Sequence, residues 1–126
     1  MNRGKVLVVD DDPDVLEFLH TLLAMEGFTV IQACDASAAL QALQDGEVRL
    51  VLLDVAMPGV DGLQLCRQIK ESPLTTSLPV VVVSARSGQH VEAEALRAGA
   101  TQFLRKPFDN DELLALVGSR LQGVPR

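Results

Sequence analysis

The chain has 126 residues, of which 48% are hydrophobic, and a formal net charge of −6 at pH 7. That describes one domain with enough apolar surface for a packed core, and it excludes a disordered chain. The acidic balance argues against direct nucleic-acid binding by this domain. No apolar run reaches the length of a membrane span, and the run after Lys5 is too short for a signal peptide, so a cytoplasmic protein is expected.

Apolar strands alternate with amphipathic helices along the whole chain. The run Val6-Leu7-Val8-Val9 reads as a strand buried on both faces, as in a parallel sheet. Asp12-Pro13 then starts a helix, with Asp12 as N-cap and Pro13 at the first helical position. Val15, Leu16, Leu19, Leu22 and Leu23 form its apolar stripe, and Gly27 ends it. Phe28 to Ala33 reads as a weaker second strand. Ala39, Leu40 and Leu43 mark a second helix that stops near Gly46. Leu50 to Leu53 is the third strand, and the turn signals Pro58-Gly59 and Asp61-Gly62 follow it. Leu63, Cys66 and Ile69 give a third helix, closed by Pro73. Pro79 opens the fourth strand, Val80 to Val83. Val91, Ala95 and Ala98 suit a fourth helix ending at Gly99, and Thr101 to Arg105 is the fifth strand. Asp109 and Glu112 resemble a capping box before the last helix, whose inner face is Leu113, Leu114, Leu116, Val117 and Leu121. The implied fold class is α/β: a doubly wound (βα)5 parallel sheet in the flavodoxin-like order 2-1-3-4-5, with the weak strands at the edges. Residues 1–121 form the domain, and 122–126 are a tail or the start of a linker.

Ligand sites of such sheets lie beyond the carboxyl ends of the strands. Asp10, Asp11 and Asp12 follow the first strand and Asp54 follows the third. If those strands are neighbours, Asp10, Asp11 and Asp54 converge. Two carboxylates about 5 Å apart repel by roughly 3 kcal/mol at an effective dielectric of 20, so the cluster calls for a cation. An oxygen-only donor set suits Mg2+. Asp12 has a competing duty as a helix cap. Ser84 at the end of the fourth strand and Lys106 after the fifth fall on the same rim. His20 and His90 have no metal partner at helical spacing, and Cys34 and Cys66 lack metal spacing and read as buried free thiols.

Taken together, these stretches resemble the receiver domain of response regulators over nearly the whole chain. They are Val8-Val9-Asp10-Asp11, Asp54-Val55-Ala56-Met57-Pro58-Gly59 with Asp61-Gly62, Ser84-Ala85, and Phe103-Leu104-Arg105-Lys106-Pro107-Phe108. The resemblance implies a two-component signalling switch that accepts a phosphoryl group on Asp54 from a histidine kinase or phosphotransfer protein. It implies Mg2+ held by Asp11, Asp54 and the backbone carbonyl of Ala56, with Asp10 acting through a metal-bound water. Ser84 and Lys106 would contact the phosphoryl oxygens. The Lys106–Pro107 peptide bond would be cis. Ser84 and Phe103 would carry the switch, Ala56 and Arg86 would tune its lifetime, and the face of helix four, strand five and helix five would meet the output partner.

Other classes fit less well. A phosphohydrolase of the haloacid-dehalogenase kind needs a second aspartate where Ala56 stands. A flavodoxin-like cofactor binder needs a phosphate cradle after the first strand, where three aspartates would repel phosphate. A constitutive, unphosphorylated interaction module would have no use for the intact five-residue set.

Overall fold

The computed structural model describes residues 4–54, 62–84 and 89–121. Strands β1 (Lys5–Val9), β2 (Thr29–Ala33), β3 (Val48–Asp54), β4 (Val80–Ser84) and β5 (Gln102–Arg105) alternate with helices α1 (Pro13–Met25), α2 (Ala36–Ala42), α3 (Gly62–Glu71), α4 (Gln89–Arg97) and α5 (Asn110–Leu121). A short 3-10 turn, Leu43–Asp45, extends α2. All strand pairs are parallel, and the order is β2-β1-β3-β4-β5, as the apolar runs imply.

Period-two alternation divides the strands between two cores. Leu7, Val9, Val51, Leu53, Val80 and Val82 face one side, against α2, α3 and α4. Val6, Val8, Leu50, Leu52, Val81 and Val83 face the other, against α1 and α5. The central strands β1, β3 and β4 are almost wholly buried, whereas β2 and β5 are only partly so. Their mixed composition is that of edge strands. No helix among the described residues is long and apolar enough to cross a membrane.

Local chemistry fixes the ends of α1. Asp12 is extended, and its carboxylate accepts the Asp14 N–H at 2.9 Å; Pro13 takes the first helical position. At the other end Gly27 turns left-handed, with φ 91°. The Leu23 carbonyl then accepts from Phe28 and the Ala24 carbonyl from Gly27, the paired closure of a Schellman motif. Phe28 therefore belongs to the helix closure rather than to β2, which begins one residue later than its sequence pattern implies. We expect Asp12→Ala to lower stability by about 1 kcal/mol in metal-free urea unfolding. An unchanged midpoint would mean that the cap contributes nothing.

Asp109 plays the same part for α5: its carboxylate accepts the Asp111 N–H at 2.9 Å. The third strand is longer than Leu50 to Leu53 because Val48 at its start and Asp54 at its end both join the ladder.

Candidate functional site

Register brings the acidic residues together. Val9 pairs with Leu53 across β1 and β3, so Asp10 and Asp54 leave adjacent strands at the same level. One ligand oxygen from each of Asp10, Asp11 and Asp54 lies within 4.8 Å of the other two. Asp10 and Asp54 are buried, and Asp11 is exposed. Lys106 arrives from the end of β5. Its ammonium is 3.1 Å from Asp10 Oδ2 and 3.6 Å from Asp54 Oδ2. The Lys106 N–H donates to the Ser84 carbonyl at 2.9 Å, and this bond sets Ser84 and Lys106 side by side on the rim. Ser84 itself is fully buried at the end of β4. The Lys106–Pro107 bond is cis, as the resemblance implied.

The three aspartates differ in what already occupies them. Asp10 Oδ1 accepts the Asp12 N–H at 3.0 Å, and Oδ2 accepts from Lys106. The Asp10 N–H donates in turn to the Ala33 carbonyl at 3.1 Å, which locks the residue to the end of β2. Sequence reasoning did not single out Ala33, because its part depends on the β1–β2 register. The Asp11 carboxylate accepts no hydrogen bond among the described residues, so its oxygens are open to a ligand.

Charge completes the case for a cation. Three carboxylates and one ammonium leave the cluster at −2, which a divalent ion brings to zero. One oxygen from each aspartate lies within 4.8 Å of the other two, close enough for all three to face one cation directly or through water. The donor set therefore fits a hard, oxygen-seeking cation. It offers no thiolate or imidazole to favour a softer one.

The comparisons with known proteins agree with this geometry. The family model for the response regulator receiver domain matches residues 6–118. The chain belongs to the response-regulator receiver family. It is 37% identical to the DNA-binding response regulator MtrA of Mycolicibacterium smegmatis, with 95% of this chain and 51% of MtrA covered. Among solved structures, a response regulator from Chloroflexus aurantiacus superposes with a TM-score of 0.87 at 34% identity, covering 94% of this chain and 98% of the other. A beryllofluoride-activated DrrB receiver domain gives a TM-score of 0.81 at 30% identity, covering 94% and 97%. The receiver spans about half or less of the length of several curated relatives that it matches. Receivers are phosphorylation-controlled switches of two-component signalling, and aspartyl phosphorylation and Mg2+ binding at an acidic pocket are general features of the family.

Of the residues singled out in this receiver's sequence, Asp10, Asp11, Asp54, Ser84 and Lys106 share the rim. Phe103 lies on β5 opposite Val82, partly buried against the core of α2, α3 and α4. Ala56 and Arg86 lie outside the described residues, as do Met57, Pro58, Gly59, Asp61, Ala85 and the segment 122–126. The side chain of His90 is likewise not described. His20 lies 3.1 Å, ring Nδ1 to amide nitrogen, from Gln32, whose amide also donates to the Leu16 carbonyl. That contact ties α1 to β2. Cys66 is core: burial pushes its thiol up, against smaller opposing effects of Lys70 and Arg67. Cys34 is exposed rather than buried, because it follows the edge strand β2 and precedes Asp35, the N-cap of α2.

Proposed function

We propose that Asp54 is the phospho-acceptor of this receiver and that Asp11 and Asp54 hold Mg2+ directly, with the Ala56 carbonyl as a further ligand. The observation that carries the reading is the Lys106 ammonium set between the buried carboxylates of Asp10 and Asp54, beside the unengaged carboxylate of Asp11. Both oxygens of Asp10 are already hydrogen-bonded, which favours contact with the ion through water.

In the transfer, an Asp54 oxygen forms a bond to phosphorus as the bond from phosphorus to the donor imidazole nitrogen breaks. The leaving nitrogen keeps the electron pair. Charge in the loose transition state spreads over three phosphoryl oxygens, so positioning and neutralisation do most of the catalytic work. Bound Mg2+ would supply charge neutralisation and orientation. Lys106 carries a compact charge on a flexible stem and shifts from carboxylate to phosphoryl oxygen. The Ser84 hydroxyl donates to a second oxygen. By resemblance to the family, Ala56 and Arg86 would tune how fast water removes the phosphoryl group. The domain catalyses only its own phosphorylation and dephosphorylation.

The phosphoryl donor is a histidine kinase or phosphotransfer protein. The signal leaves through α4, β5 and α5 to a downstream protein or output domain. On phosphorylation Ser84, at the end of β4, donates to a phosphoryl oxygen and the Phe103 ring turns inward. A phenylalanine ring has no hydroxyl, so its inward swing buries no unpaired polar group. The switching unit is residues 1–121, in the cytoplasm.

Beryllofluoride with Mg2+ tests the reading by NMR. Wild type should show shifted signals at Asp54, Ser84 and Phe103, and Asp54→Asn should show none of them. Identical responses in the two proteins would refute the acceptor assignment. Shifts at Ser84 with unmoved Phe103 ring signals would leave that ring as plain core.

A further inference from the structure

The opposite end of the sheet carries a second concavity that phosphorylation chemistry does not use. A cavity of about 240 Å3 opens at the amino ends of β3 and β4. Strand β3 runs seven residues from Val48 to Asp54, so the cavity lies about 20 Å from the acidic cluster at 3.3 Å per residue. Leu43, Leu78 and Pro79 supply apolar wall, together with Leu74, a residue 62% exposed. Arg49 and Arg120 supply two guanidinium groups, and Ser77 a hydroxyl.

The wall is held in place. Thr75 donates its hydroxyl to the Ile69 carbonyl, and the Thr75 and Leu78 N–H groups close successive turns on Ser72 and Thr75. Lys70 donates to the Leu78 carbonyl at 2.7 Å, and the Pro79 carbonyl accepts from Val51 at 3.0 Å. The strand beneath contributes a further device. Lys5 pairs with Val48 but Val6 with Leu50, so Arg49 is one extra residue on β3. Bulges of this kind re-aim a side chain. Here Arg49 is exposed between the buried Val48 and Leu50.

Among the described residues neither guanidinium has its charge matched. Arg120 donates to Gln102, a neutral acceptor, at 3.0 Å, and Arg49 has no hydrogen bond or ion pair among the described residues. The nearby carboxylate of Glu47 is taken by Lys5 at 2.7 Å. Two guanidinium groups without a carboxylate partner among the described residues, beside an exposed leucine, stand out in a chain of net charge −6.

We propose that this cavity binds a small amphipathic anion, with its apolar body on Leu43, Leu74 and Leu78 and a single planar carboxylate between Arg49 and Arg120. Guanidinium groups suit a planar carboxylate because their donors match its two oxygens. At about 30 Å3 per water, the volume equals about eight waters, enough for a one-ring acid and too little for a nucleotide.

Benzoate is the probe, added to the full chain while amide NMR signals are followed. The expected result is saturable shifts at Gly46, Val48, Thr75 and Leu78. Benzyl alcohol, with the same ring and no charge, should bind at least about tenfold more weakly, a step of one decade in affinity. Arg49→Gln with Arg120→Gln, both on exposed side chains, should weaken benzoate by a similar factor while the remaining spectrum stays put. Shifts that fail to saturate by about 10 mM, that fall only on the Asp10–Lys106 rim, or that survive the double substitution would overturn the proposal, as would equal binding of benzyl alcohol.

Discussion

Replacing Asp11 by alanine should weaken Mg2+ binding by about 10- to 100-fold, whereas Asp12→Ala should leave it nearly unchanged. That range is the usual cost of removing a group that merely supports a metal ligand, so it is a lower bound for a ligand itself. The two residues are chain neighbours with the same side chain, and their duties differ for structural reasons. The Asp11 oxygens accept nothing among the described residues and lie within the 4.8 Å cluster. The Asp12 carboxylate is turned away to the Asp14 N–H, where it satisfies one of the orphan donors of α1. Mg2+ titration of both variants, followed by calorimetry or NMR, checks this division. Equal losses in the two would reject it.

A second pair of substitutions should move metal-free stability in opposite directions. Among the described residues, Asp54 has two like charges within 4.8 Å and one opposite charge at 3.6 Å. At an effective dielectric of 20 the repulsion exceeds the attraction by about 2 kcal/mol, so metal-free Asp54→Asn should be more stable than wild type by about that amount. Lys106→Ala should be less stable. It removes the cation from two buried carboxylates, a change that costs 3–5 kcal/mol for a fully buried pair. The Lys106 side chain is 22% exposed, so water recovers part of that loss, and about 2 kcal/mol is expected. Saturating Mg2+ should then stabilise wild type by mass action, and Asp54→Asn far less. Urea unfolding with and without Mg2+ measures all of this. Same-sign shifts in the metal-free proteins would contradict the charge balance described for the site.

The rim was legible in the sequence because strand ends are. Three buried runs of Val and Leu stop abruptly at Asp10, Asp54 and Ser84, and the weaker fifth strand leads into Lys106. A parallel sheet gathers such ends on one side. The helix caps at Asp12 and Asp109 were legible for a similar local reason: a short acceptor side chain precedes an apolar period. What depends on register was not legible. The Ala33 carbonyl under Asp10, the extra residue at Arg49 and the cavity between the 3-10 turn and α5 each join segments far apart in the chain. The exposure of Cys34 escaped for another reason. Its neighbours alternate like a strand, but the ladder ends one residue before it.

On the proposed function, Asp54 takes up a phosphoryl group in a Mg2+-dependent reaction. Intact mass spectrometry of the chain with acetyl phosphate measures this most directly. Wild type with Mg2+ should gain the mass of one phosphoryl group, mapped by proteolysis to the peptide containing Asp54. The gain should vanish in Asp54→Asn and in the presence of a chelator. An adduct of equal yield in Asp54→Asn, or one that forms without divalent metal, would contradict the account.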